Sequence, residues 1–473
     1  MRNIKSIWNM GKLKLYFIGV IVVIITVNAG GQNTWSLENC INYALDNNIQ
    51  IKQSELASEN YEIDLLQSKL DLLPTLNGSA SRYFGWGRSL DQASNEYTTN
   101  NTTQDYFSVS SGLMLFNGLQ KYNTIKRAQF EYLASKYDSD KMRDDISLMI
   151  AGAYLQILFS LELVKTTENQ VEITTQQIAR TKKLVEAGTL ARGDLLDIQS
   201  QGAMEEVNLI NAQNQINLAN LDLLQLLDMS ASERFDIEKP DIQISETPKL
   251  LPSEQIYKYA ILNLPEVKSA EYRFESANKS LAIARGSRSP NIRLSGSWGT
   301  SYSDQIRDRE YIFDPGTGEI IEIDHGLISF SDQIRNNENK TLAVSLSVPI
   351  YNGFQVSSYI NKSKLASLNA EYDLDLTRNT VRKNVETSYT DALAAYKTYQ
   401  ANLKSLESFR EAFKYMEQKF DVGLVNSLDY NVAKTQLTRA ESNLLSAKYD
   451  YVFKTLVLDF YMGQPISLNE FHD

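Results

Sequence analysis

Few residues in this sequence could do covalent or metal chemistry. Among 473 residues there are two histidines, His325 and His472, and one cysteine, Cys40. One cysteine excludes an internal disulfide framework and every multi-cysteine metal site. Two histidines leave little material for a Ser-His-Asp arrangement or a histidine metal cluster. Carboxylates are plentiful, and the formal net charge of −11 argues against nucleic acid, whose binders cluster Lys and Arg against phosphates. The paired acids Asp144-Asp145 and Glu205-Glu206 fall in stretches that read as helix, where a solvated face is expected. Asp314-Pro-Gly-Thr-Gly318, with His325 nearby, reads as a turn rather than a calcium or ligand site. No Gly-rich phosphate loop, H-E-x-x-H or C-x-x-C occurs. No catalytic residue, cofactor or metal is therefore expected, and function must come from architecture.

Residues 1–31 read as a secretory signal peptide. Arg2, Lys5, Lys12 and Lys14 precede an apolar run from Leu15 to Val27, and Ala29, Gly30 and Gly31 offer small residues for cleavage. Loss of these four positive charges takes the chain from −11 to −15. The run is short of the ~20 residues that span a bilayer. No later stretch of eighteen apolar residues occurs, so any membrane crossing falls to β-strands.

The remainder repeats itself. Leu73-Pro74-Thr75-Leu76 matches Ser289-Pro290-Asn291-Ile292 at an offset of 216. Leu115-Phe116-Asn117-Gly118 matches Ile350-Tyr351-Asn352-Gly353 at 235, and Ala187-Gly188…Asp194 matches Val422-Gly423…Asp429 at the same 235. The repeats are 32–228 and 253–465, joined by 229–252 with Pro240, Pro248 and Pro252, and followed by a tail, 466–473. The offset grows by nineteen only between the Pro and Asn-Gly markers, which is how an exposed loop on a rigid scaffold behaves.

Between those markers, at 75–116 and 291–351, the pattern has period two. Ile292, Leu294, Trp298 and Tyr302 alternate with Arg293, Ser295 and Ser297. Leu342, Val344, Leu346, Val348 and Ile350 alternate with Ala343, Ser345 and Ser347. Strands with one greasy and one small, polar face are expected. Ten or so tilted residues cover about 25 Å, the height of an outer-membrane apolar band. Tyr83, Phe84, Trp86, Tyr106, Phe107, Trp298 and Tyr302 lie towards the far ends, where aromatic girdles sit. Polar loops, Arg88 to Gln104 and Ser303 to Lys340, join the strands.

Elsewhere the period is seven. Ile150, Ile157, Val164, Val171, Ile178 and Val185 recur in one half, with Ala153, Ser160, Thr167, Thr174 and Thr181 three residues later. Val385, Ala392, Tyr399, Leu406, Phe413 and Phe420 recur in the other. No proline interrupts Leu76–Lys239 or Ile350–Gln464. Helices of roughly 100 Å with coiled-coil packing are expected. Each breaks at a glycine, Gly188 or Gly423, and restarts, with Asn426 or Ser427 placed to cap the second return helix. Each half is then short helix, hairpin, long helix, tip (188–194 or 423–429) and return helix.

Four strands cannot close a barrel, and open edges are not tolerated in lipid, so membrane strands would require copies to pool them. Three copies give twelve strands, and helices this long must project into the periplasm. On these duplicated halves, Pro-led strands, Asn-Gly junctions and Gly…Asp tips, the chain resembles the TolC-like outer-membrane efflux proteins over essentially its whole mature length. The resemblance implies an α+β membrane protein in which a long coiled-coil α-barrel continues into a twelve-stranded transmembrane β-barrel, closed as a homotrimer in outer-membrane lipid. It implies a passive, gated duct that docks on a periplasmic membrane-fusion adaptor and an inner-membrane transporter of RND or ABC type. By position, Gly188-Thr189-Leu190 and Gly423-Leu424-Val425 match the adaptor-docking tips, and Pro74, Asn117, Gly118, Pro290, Asn352 and Gly353 the strand–helix junctions. Asp429 matches a carboxylate that rings the periplasmic aperture, and Asp194 is its first-half counterpart, equally placed to cap a helix. Val432 and Val425 stand where relatives carry a second acid and a pinning arginine. Type I protein secretion uses the same kind of tube, and a coiled-coil surface protein is the alternative of a different class.

Overall fold

The computed structural model describes residues 34–91, 96–99, 101–230, 236–245 and 250–468. The expected signal peptide, His472 and all of the tail beyond Leu468 lie outside them.

Each repeat begins with a bent helix pair where the sequence suggested one short helix. In the first, α1 (Leu37–Asn47) meets α2 (Ile49–Leu70) at Asn48. The Asn48 backbone is extended, and its Oδ1 accepts from the Gln50 and Ile51 N–H groups at 2.9 and 3.3 Å, so one residue ends a helix and caps the next. In the second, α5 (Ser253–Asn263) and α6 (Pro265–Gly286) bend at Leu264, because Pro265 denies α5 a continuing N–H while fitting the first turn of α6.

Strands follow each pair: β1 (Thr75–Gly85), β2 (Arg88–Asp91), β3 (Glu96–Thr99) and β4 (Thr102–Phe116) in the first repeat. The second has β5 (Asn291–Ser303), β6 (Arg307–Phe313), β7 (Ile320–Leu327), helix α7 (Phe330–Asn336) and β8 (Asn339–Ser347). The long helices α3 (Gln120–Glu186) and α8 (Gln355–Asp421) have 67 residues each, and the return helices α4 (Arg192–Leu226) and α9 (Ser427–Tyr461) have 35 each.

One antiparallel sheet runs β1-β4-β5-β8, so β4 against β5 joins the repeats. The segments read as polar loops fold into separate hairpins, β2–β3 and β6–β7. The longer β6–β7 unit lies in the segment that absorbs the nineteen-residue offset. Strand β8 stops at Ser347, short of the expected Tyr351, because Pro349 has no N–H for the ladder.

Helices α2, α3, α6 and α8 lie side by side near the sheet. Further away α3 pairs with α4, and α8 with α9. The main core sits at mid-height around Ile150, Tyr154, Ile157, Leu223 and Val452. Trp35 bridges Ile237 of the inter-repeat segment, and the Tyr154 hydroxyl donates to the Glu238 carbonyl at 2.8 Å. Among the described residues only α3 carries a window apolar enough to cross a bilayer, and the fold spends Ile150, Tyr154 and Ile157 of that helix on the core. Cys40 is fully buried there, and burial pushes its thiol up to about 12, so it is inert. In the heptad pattern the small column is buried as deeply as the apolar one. Ser160, Thr174 and Thr181 are inaccessible while Val164 and Val171 are partly exposed, because the second packed helix approaches along the small residues.

The acidic pair Asp144-Asp145 departs from the solvated reading. Burial pushes the Asp144 carboxyl up to about 6, helped by Asp140 and Asp145 and opposed by Lys141. Burial also raises Glu266 on α6. A folded pKa of about 6 against an ordinary 3.8 means that the charged form is disfavoured. Asp144 thus favours the fold below about pH 4, and that contribution is lost as pH climbs through 6. Replacement Asp144→Asn is expected to raise the melting temperature at pH 7.5 and leave it unchanged at pH 4, in melts of the detergent-solubilised protein. An equal shift at both pH values would show that the carboxyl carries no such penalty.

Candidate functional site

Two regions bring functional residues together: the helical tips and the two-faced sheet. At the tips, Gly188 and Gly423 adopt φ of 76° and 75°, which glycine alone enters without cost. Gly188 N–H donates to Val185 O at 3.0 Å and Thr189 N–H to Leu184 O at 2.9 Å. Gly423 N–H donates to Phe420 O at 3.0 Å and Leu424 N–H to Lys419 O at 2.9 Å. Both are Schellman closures, which satisfy the last carbonyls of α3 and α8. The usual apolar contact across such a closure has Lys419 on one side, so Leu424 is left 75% exposed. Leu190 is half-buried. Val425 instead packs beside Ile198, Phe420 and Tyr430.

The two tip aspartates are not equivalent. Asn426 caps α9, its Oδ1 accepting from Asp429 N–H at 2.8 Å. The Asp429 carboxylate is exposed and has no partner among the described residues. Asp194 caps nothing, since Ala191 starts α4 without a side-chain bond. The Ser427 hydroxyl lies between Asp194 Oδ1, at 2.9 Å, and Asp197 Oδ2, at 3.0 Å, tying the first repeat's tip to the second's. Arg180 reaches Asp421 at 2.8 Å across the same seam.

Deeper in, Lys434 of α9, 3% exposed along its side chain, pairs with Glu205 of α4 at 3.2 Å, and both bond Thr174 of α3. Burial pulls the Lys434 ammonium below its ordinary range, and Glu205 draws it back. Glu205 is therefore not on a solvated face, in contrast to Glu206. A periodicity argument could not find this pair, because its members are 229 residues apart. Burial raises the Tyr430 phenol nearby, whose hydroxyl has no partner among the described residues.

At the junctions Gly118 and Gly353 have φ of 65° and 60°, and each is followed by a non-glycine in the same left-handed region, Leu119 and Phe354. Asn117 O accepts from Gln120 N–H, and Asn352 O from Gln355 N–H, closing turns with two positive φ values. The glycines were legible in sequence; Leu119 and Phe354 were not. Gly118 also lies against the Gly286 backbone at the end of α6, whereas Gly353 has open space around it.

Residues opposite one another in an antiparallel pair share a face. The register therefore places Leu76, Phe107, Val109, Leu113, Leu294, Trp298, Leu342, Val344 and Leu346 on one face. Asn77, Ser79, Ser108, Ser110, Ser295, Ser297, Thr341 and Ser345 lie on the other. The expected aromatic girdle splits by the same parity. Phe84, Phe107, Trp298 and Tyr302 belong to the apolar face, but Tyr83 and Tyr106 fall on the polar one, where their rings meet edge to face at 5.7 Å. The Asp314 oxygens are spent on the turn, accepting from Gly316 N–H at 2.8 Å and Thr317 Oγ1 at 3.0 Å, and His325 pairs with Glu310 at 3.1 Å. No group of His, Cys, Asp or Glu able to hold a metal forms among the described residues.

A sheet greasy on one side and serine-lined on the other, mounted on helices of about 100 Å, is the build of a membrane-anchored conduit. The chain belongs to the outer membrane efflux protein family, whose model matches residues 40–228 and 256–464. The outer membrane protein TolC of Vibrio cholerae is 23% identical over 434 residues, covering 90% of each chain. The solvent efflux pump outer membrane protein SrpC of Pseudomonas putida is 20% identical over 92% of this chain and 86% of its own. Among solved structures, CusC superposes with a TM-score of 0.75 at 16% identity over 91% of this chain and 92% of that one. VceC of V. cholerae gives 0.72 at 16% identity over 91% and 96%. The protein is an outer-membrane efflux channel, and its family is one of ducts rather than enzymes.

Removing Lys434 would strand a buried carboxylate at Glu205. Lys434→Met is expected to destabilise the protein by about 3–5 kcal/mol, and Lys434→Met with Glu205→Leu to recover most of that. Denaturant unfolding in detergent checks this; a double variant no better than the single one would mean that the pair is not coupled.

Proposed function

We propose that three copies close into a twelve-stranded barrel with a continuous helical tube beneath it, which carries solutes from an inner-membrane transporter through a periplasmic membrane-fusion adaptor to the exterior. The observation that carries this reading is a pair of unmatched seams on one chain. Strands β1 and β8 each leave one edge unpaired, which lipid does not tolerate. Beneath them α2 exposes Leu56, Ile63, Leu66 and Leu70, and α8 exposes Leu365, Leu368, Tyr372 and Leu376, both at coiled-coil spacing.

The repeat offsets support pairing these seams between copies. Inside the chain α3 meets α6 through Tyr272, stacked against Phe130 at 6.1 Å and Tyr137 at 5.6 Å. The offset of 216 relates Tyr272 to Leu56, and 235 relates Phe130 and Tyr137 to Leu365 and Tyr372. The seam between copies is thus the counterpart of the seam within one. Two copies would give eight strands, a barrel whose interior side chains fill; twelve leave the serine face room for water.

Threefold closure gathers three exposed, partnerless Asp429 carboxylates at the tips, where like charges favour cations and make closure sensitive to ions. Asp194, bound to Ser427, serves as the tie that holds the second repeat's tip against the first. Exposed Leu424, with Gly423, Gly188, Thr189 and half-buried Leu190, offers the adaptor its contact, whereas Val425 supports from behind.

A photo-crosslinker at Leu424 in cells is expected to capture a periplasmic adaptor, whose own transporter distinguishes drug efflux from protein secretion; capture of nothing, or of a cell-surface component, would overturn the docking assignment. Leu56→Asp is expected to abolish the heat-modifiable trimer on gels, and a variant trimer as robust as wild type would reject this seam. Asp429→Ala is expected to alter single-channel conductance in planar bilayers, and unchanged conductance and ion block would remove Asp429 from the aperture.

A further inference from the structure

One charged side chain lies on the polar face of the main sheet. Arg293 of β5 is exposed there, opposite Met114 of β4 and Ser345 of β8, and it has no acidic partner among the described residues. Among the described cations of the strands and their hairpins, only Arg293 stands alone. Arg82 is held by Asp105, Lys340 by Glu338, Arg307 by Asp324, Arg309 by Glu322 and Arg335 by Asp332, while Arg88 lies over the Tyr97 ring. Both strands beside β5 belong to the same chain, so assembly brings no new strand next to Arg293. The polar-face positions of β1 and β8, the strands that would meet a second copy, carry no carboxylate.

The space around Arg293 is open because of Gly112. A Cβ built there would lie 2.9 Å from Arg293 Nη2. Gly112 is not among the residues of positive φ, so its backbone does not require glycine. The missing side chain leaves a bed for the guanidinium. Around it is a depression of about 200 Å3 whose lining includes Thr75, Asn77, Ser110, Ser295 and Thr341. The Thr75 and Thr341 hydroxyls already donate, to Gly112 O at 3.5 Å and Asn339 Oδ1 at 3.3 Å. The Ser110 and Ser295 hydroxyls and the Asn77 amide can donate to a ligand, and the guanidinium adds a planar fork suited to a carboxylate, phosphate or sulfate group.

We propose that Arg293 and these donors form an oxyanion-binding site in the barrel lumen, one per chain, taking the acidic group of an anionic solute in transit. The assignment rests on the duct reading in one respect, that the polar face lines the lumen. Each site acts alone, since every group in it comes from a single chain. At the opposite end of the duct from the Asp429 carboxylates, it gives the two ends opposite charge preference.

The test uses purified full-length protein in a nonionic detergent, titrated into sodium tripolyphosphate and followed by 31P line broadening, with the same preparations examined for conductance in planar bilayers. Wild type is expected to broaden the signal at about 10 mM salt and to lose the effect near 1 M, where the Debye length falls from about 30 Å to 3 Å. Arg293→Gln should weaken binding about tenfold, as loss of one charge-assisted contact implies. Gly112→Ala should weaken it too, by displacing the guanidinium while keeping its charge, and Lys340→Gln on the apolar face should bind as wild type does. No broadening by wild type, or equal broadening by wild type, Arg293→Gln and Gly112→Ala, would overturn the site. A wild type that binds but forms no conducting channel would leave the site standing and defeat the duct reading instead.

Discussion

Backbone groups in lipid have no water to bond, and the rest of this molecule follows from that constraint. An open four-stranded sheet has two bare edges, so in lipid it is viable only as part of a closed ring. The duplication supplies part of the solution, because β4 pairs with β5 and the two hairpins form one continuous sheet. The edges that remain are those of β1 and β8, which the proposed trimer would close. The helices beneath obey the same logic in water, where the bare seams of α2 and α8 carry apolar side chains instead of unpaired amides.

Duplication also sets the dimensions. Long helices of 67 residues and return helices of 35 recur in both halves, so the tips end level with one another. Where the halves differ, the difference has a local cause. Gly118 is wedged against Gly286 because α6 of the same chain lies beside it, while a Cβ at Gly353 would meet open space. The hairpin loops differ because they lie beyond the membrane strands, where added residues disturb no ladder. The tips differ because Ser427 of one half has taken Asp194 of the other as its partner, leaving Asp429 free.

The buried charges between the helices, Lys434 and Glu205, are paired. Lys434, Glu205 and Thr174 come from three helices of two repeats and bond one another where all three are buried. Such a triad adds little net stability over an apolar packing but penalises any arrangement that separates its members. Together with Ser427 and the Arg180–Asp421 pair, it ties the two repeats to each other near the tips. The core at mid-height combines apolar burial around Tyr154 with the bond from its hydroxyl to the Glu238 carbonyl.

The sequence by itself determined the repeats, the alternation of the strands, the heptads of the long helices and the glycines at tips and junctions. Each is a pattern in one dimension, enforced by local geometry: period two by the pleat, seven by the coiled coil, positive φ by glycine. The family resemblance was legible from the same markers. What the tertiary structure decided was pairing between distant residues. That Asp194 bonds Ser427 while Asp429 does not, that Glu205 is buried beside Lys434 rather than solvated, and that Tyr83 and Tyr106 leave the aromatic girdle all depend on register or on helix neighbours more than twenty residues away. Asp144 belongs with them, since its acidity is changed chiefly by burial beneath packed helices, at a position read from sequence as solvated. Leu119 and Phe354 mark the boundary. Their left-handed backbones are local, yet no side-chain type announces them, because the strand-to-helix turn imposes a conformation that leucine and phenylalanine would not choose.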